Sequence, residues 1–81
     1  MKKMPDWNLA ARRMLRIELA RKDISYKQLS SLLEKIGVDE TTSAIRNKLA
    51  RGTFSLAFFL QCMWVLDRKT VSFDLNELDL E

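Results

Sequence analysis

The stretch ISYKQLSSLLEKIGVDETTSAIRNKLARG, Ile24 to Gly52, decides the fold. It reads as two helices joined by a short turn. In the first, Leu29, Leu32, Leu33 and Ile36 recur at i, i+3, i+4 and i+7 and make one apolar stripe. Ser25 and Gln28 form an S-x-x-Q capping box at its start. Gly37 stands just past its end, where a positive φ is commonly required. The second helix begins near Asp39 to Thr42 and stops at Gly52. Its apolar stripe is thin, only Ile45 and Leu49, with Thr42 beside them. At about 100° per residue, Ser43, Asn47, Ala50 and Arg51 fall on the opposite side and Arg46 on the flank. Arg and Asn make paired hydrogen bonds to guanine and adenine edges, and Ser and Ala let a backbone come close. The pattern predicts a helix with one side docked on a core and the other offered to a polyanion.

Upstream, Pro5 and Asp6 read as a helix entry. Trp7 to Lys22 predicts a helix with Ala11, Leu15 and Leu19 inward and Met14 beside them. Arg12, Arg13, Arg16, Arg21 and Lys22 make its outside basic, for solubility or for phosphate contact. Ile24 is placed to staple onto Leu29. Downstream, Ser55 is an N-cap and Phe54 a staple for Phe59. The fourth helix, LAFFLQCMWVL from Leu56 to Leu66, is apolar nearly all round and predicts a central post buried on most sides, with a spare side for a second subunit. Thr70 to Leu75 alternates polar and apolar with period two, a candidate strand. Two readings of it stand. It pairs with its own copy across a dimer, or it lays Val71, Phe73 and Leu75 over the helices unpaired.

Eighty-one residues allow one domain with a small core. Residues 1–5 read as a flexible start, 6–69 as the helical domain, and 70–81 as strand and acidic tail. The formal net charge is +3. All fourteen Lys and Arg but only seven of the eleven Asp and Glu lie in residues 1–70, which therefore carry +7. That bias suits nucleic acid or an acidic surface. No apolar run reaches membrane-spanning length and no signal-peptide pattern opens the chain. With one Cys there is no internal disulfide, which fits a cytoplasmic protein. The absence of His removes imidazole-based metal sites and triads, and Cys62 in the apolar helix reads as a structural thiol. No enzyme, cofactor, metal or small-molecule ligand is expected.

Two resemblances bear on these residues. Ile24 to Val38, followed by Ser43 to Cys62, is similar to an uncharacterised bacterial family of short helix-turn-helix-like domains with an I-R-N-K-x-x-R-G-x-F-S-x-x-F-F-L-Q-C run. That family brings no established biochemical role. More loosely, Ser25, Gln28 and Leu29, the Gly37-Val38 turn, Ile45 and Arg51-Gly52 resemble λ-repressor-like domains, with a first motif helix about one turn longer than usual and extra residues between Gly37 and Ile45. The resemblance implies an all-α, four-helix helix-turn-helix domain with a candidate C-terminal β-strand. It also implies a transcriptional regulator reading the major groove of double-stranded DNA as a homodimer. Thr41, Thr42, Ser43, Arg46 and Asn47 are then expected at base edges. Tyr26, Lys27, Gln28, Lys48, Arg51 and Thr53 are expected at the DNA backbone. Phe58, Trp64, Val71, Phe73 and Leu75 are expected at the dimer interface. The alternative is a helical interaction or dimerisation module that binds no nucleic acid.

Overall fold

A computed structural model describes residues 6–72. Among these residues the regular elements are four helices: α1, Trp7–Lys22; α2, Tyr26–Lys35; α3, Thr42–Arg51; and α4, Leu56–Val65. Each starts where a short polar side chain can take an otherwise unsatisfied amide. The Asp6 carboxylate accepts from Leu9 N (3.0 Å), Ser25 Oγ from Gln28 N (3.1 Å), Thr41 Oγ1 from Ala44 N (3.0 Å) and Ser55 Oγ from Phe58 N (3.0 Å). At α2 the box is complete, because Gln28 Oε1 accepts from Ser25 N at 2.8 Å.

The helix ends are equally regular. α1, α2 and α4 each close with a pair of reversed hydrogen bonds around a left-handed residue: Asp23 (φ 53°), Gly37 (φ 81°) and Asp67 (φ 59°). The apolar residue after the first two, Ile24 and Val38, folds back onto the core. α3 ends at Gly52 (φ 66°), whose amide reaches Lys48 O at 2.9 Å.

The core is one cluster: Leu15 and Leu19 of α1, Leu29 and Leu33 of α2, Ile45 and Leu49 of α3, and Phe58, Phe59, Cys62, Met63 and Leu66 of α4 and its cap. α3 lies against both α1 and α2, and α4 packs on α2. Ala11 and Met14 are half-buried, while Ala10 and Glu18 are buried along with the expected Leu15 and Leu19. Glu18 is the buried acid of the fold. It pairs with Arg21 Nη1 at 3.1 Å and with Arg68 Nε at 2.6 Å, tying α1 to the chain leaving α4. Two cations on one carboxylate offset the cost of taking it out of water.

Two expectations change. α4 is not buried on most sides: Leu56, Leu60 and Trp64 are 66%, 54% and 61% exposed. One side of it satisfies the core of this small chain. Thr70 to Ser72 form no strand, and Val71 packs half-buried on the helical core. Phe73 and Leu75, the rest of the expected strand, lie outside the described residues. No helix among the described residues is long and apolar enough to cross a membrane.

Gly52, the C-cap of α3, lies hard against the backbone of Asn8 at the start of α1. A Cβ there would lie 1.9 Å from Asn8 O, whereas one at Gly37 would meet nothing within 4 Å. Both glycines have positive φ, so alanine strains either backbone. Gly52→Ala is expected to cost about 3 kcal/mol or more, because the start of α1 must also move. Gly37→Ala is expected to cost about 1 kcal/mol, the backbone penalty alone. Urea unfolding of the two variants measures the difference, and equal losses would contradict the close α1–α3 approach.

Candidate nucleic-acid interface

α3 carries three cations and no acid over its ten residues, TSAIRNKLAR. Ile45 and Leu49 are fully buried and fix how the helix is rotated. Ser43, Arg46, Asn47, Ala50 and Arg51 all end up exposed on the side turned from the core. The geometry expected for the outer side of this helix is therefore present in the described chain. Thr41 is exposed but its hydroxyl serves as the helix cap, and Thr42 is half-buried.

Lys48 behaves differently from the two arginines. Its ammonium is paired with Glu40 Oε1 and lies 4.5 Å from the centroid of the Phe58 ring. Expected at the DNA backbone, it is instead engaged inside the molecule, where it joins α3 to its own entry turn and to α4. Ser30 Oγ donates to Glu40 O at 2.5 Å, so α2 holds the same turn. The turn before α3 is thereby fixed on both sides, which sets where the first residues of α3 stand.

The other residues expected at a backbone divide similarly. Lys27, Arg51 and Thr53 are exposed. Gln28 is exposed but spends its carbonyl oxygen on the capping box, and Tyr26 is half-buried against the core. One cation that sequence reasoning did not place at the site belongs beside it. Arg12 of α1 reaches across to Ala50 O, with Nη1 donating at 3.4 Å, and lines a shallow polar groove of about 160 Å³ together with Asp6, Asn8 and Arg51. The residue pattern made Arg12 one of five cations on α1; only the crossing of α1 over the end of α3 selects it. A cation at that point also faces the negative end of the α3 dipole.

The residues expected at a dimer interface are scattered. Phe58 is 2% exposed and edge-on to Phe54 at 5.8 Å between ring centroids, so its own chain has used it. Val71 is half-buried on its own core. Trp64 is exposed, with Lys69 Nζ 3.6 Å from the centroid of its ring. Leu56 and Leu60 are exposed beside it, which the residues did not show because a helix apolar on every side does not reveal which side faces inward.

Cys62 is buried, and its thiol is pushed from 9.0 up to about 12, first by that burial and then by the Glu40 carboxylate, against a smaller opposing pull from Lys48. Among the described residues no three His, Cys, Asp or Glu side chains are grouped to hold a metal. Since only the thiolate reacts, Cys62 is expected to resist alkylation in the native protein and to react at once in denaturant. Its pH signature follows from linkage. Below pH 9 the thiol is protonated folded and unfolded alike; above it the unfolded chain ionises while the folded one does not. Stability should fall as pH rises from about 9 toward 12. The fall should be smaller in Cys62→Ala, and an equal fall in both would remove Cys62 as its source.

Residues 7–71 match the model of a family described as a domain of unknown function, DUF6471. An uncharacterised family is what the run from Ile45 to Cys62 implied. No curated protein and no solved structure matches the chain.

Proposed function

We propose that this chain, which belongs to the DUF6471 family, binds double-stranded DNA as a bacterial or phage-type transcriptional regulator. In this reading α2 and α3 are the two helices of a helix-turn-helix, and α3 enters the major groove. The observation that carries the reading is the outer side of α3: Ser43, Arg46, Asn47, Ala50 and Arg51 are exposed together, with no carboxylate among them. A helix about 10–12 Å across fits a groove about 12 Å wide. Arg46 would pair with a guanine edge and Asn47 with an adenine edge. Ser43 and Ala50 would let the helix backbone approach. Arg51, Thr53, Lys27 and Arg12 would hold phosphates, which position the protein without reading sequence.

The connection from α2 to α3 runs six residues, Ile36 to Thr41, against three or four in the usual motif. The reading therefore rests on the side that α3 presents and not on the turn. Lys48 is left out of the contact set because Glu40 and Phe58 already hold it.

Fluorescence anisotropy against salt, on duplexes selected from a random pool, tests the assignment. Arg46→Ala and Asn47→Ala should each cost about 1–3 kcal/mol against the selected sequence and little against others. Arg51→Ala should weaken all duplexes alike and reduce the salt slope by about one. Lys48→Ala should leave the slope unchanged and lower the melting temperature, since it strands Glu40. No duplex binding at low salt, or full affinity in both Arg46→Ala and Asn47→Ala, would refute the proposal.

A further inference from the structure

Among the described residues nothing covers one apolar side of α4. Leu56, Leu60 and Trp64 stand at i, i+4 and i+8 on it, each more than half exposed. Ala57 lies among them and is also exposed. No charged side chain occurs anywhere in α4. Beside Leu56, at the N-terminal end of the helix, is an apolar cleft of about 220 Å³ lined by Ala11, Met14, Phe54, Ser55, Leu56 and Phe59. We infer that this side is the seam of a homodimer in which two α4 helices pack antiparallel about a two-fold axis at Leu60.

The argument for a second copy is self-complementarity. Two-fold contacts must place matching features at equal distances either side of the axis. Here Leu60 meets itself, and residue 60 − k meets the partner's residue 60 + k. Leu56 therefore meets the partner's Trp64, and that indole arrives where the apolar cleft opens. Trp64 and the cleft lie about 12 Å apart along the helix, so both knobs and both clefts engage at once. The charges agree as well. Asp67, which pairs with Lys69 at 3.4 Å and keeps its side chain 80% exposed at the C-terminal end of α4, falls opposite the partner's Thr53, beside the positive N-terminal end of the partner's α4. Lys69 lies over one face of the indole, and Trp64 is still 61% exposed. Ala57 lets the helices come close.

The three large side chains present roughly 400 Å², within the range of the largest apolar patches on monomers and about half of what one partner gives a standard interface. The cleft walls and the helix ends must supply the remainder, which points to a weak dimer. The seam does not depend on the DNA reading, and its test uses no nucleic acid.

Sedimentation of the full chain across micromolar to millimolar concentration should reach twice the 9.5 kDa chain mass. Leu60→Glu and Trp64→Arg change exposed positions, so each should keep the native circular dichroism and melting temperature while weakening the dimer about tenfold or more. Val71→Ser should leave dimerisation intact. In Trp7→Phe protein, the remaining Trp64 emission should shift to shorter wavelength as the dimer forms. A wild-type chain that stays monomeric throughout overturns the inference. So does a dimer that survives both seam variants, one that Val71→Ser alone dissolves, or one that forms without a Trp64 shift.

Discussion

α3 is held by two side chains. Ile45 and Leu49 are its only large apolar residues, and both are fully buried against Leu29 and Leu33 of α2 and the inner residues of α1. Thr42, Ala44 and Lys48 flank that anchor half-buried, and the side opposite it is presented to solvent. The thinness of the stripe thus does two things. It makes α3 dependent on its neighbours for stability, since a ten-residue helix is marginal alone. It also leaves five of its ten residues, Ser43, Arg46, Asn47, Ala50 and Arg51, exposed on one side for contact with a partner.

The fold uses charge to fix these positions and leaves Arg46 and Arg51 exposed. Glu18 gathers Arg21 and Arg68, and Glu40 gathers Lys48. The Glu18–Arg68 and Glu40–Lys48 pairs each tie an element to a segment outside it: α1 to the end of α4, and α3 to its own entry. Arg46 and Arg51, on the same helix as Lys48, are exposed. Within one turn of helix, therefore, neighbouring cations have opposite roles. Lys48 locates α3, and Arg46 and Arg51 are available to a polyanion. A flexible ammonium stem suits the first task, while a planar guanidinium suits recognition of base edges and phosphates.

Much of this was legible in the residues. The helix starts could be read from Asp6, Ser25 and Ser55 because a cap is a local device, completed within three residues. Gly37 and Gly52 marked helix ends for a similar reason. The rotation of α3 followed from Ile45 and Leu49, since the other eight residues offered no competing stripe. What could not be read depended on contacts between elements. Lys48 looked like Arg51, a backbone contact, until Glu40 and Phe58 were brought beside it. Arg12 looked like Arg13 until α1 crossed Ala50. In α4 the sequence was misleading in a definite way: with apolar residues on every side, Phe58 and Leu60 could not be told apart, and the structure buries the first and exposes the second.

The most direct measurement maps backbone amide shifts by nuclear magnetic resonance while a mixed-sequence duplex is added at low salt. The account predicts changes concentrated at Ser43, Arg46, Asn47, Arg51 and Thr53, with Leu56, Leu60 and Trp64 unmoved. No shifts at any duplex concentration, or shifts gathered on α4 with α3 silent, would contradict it.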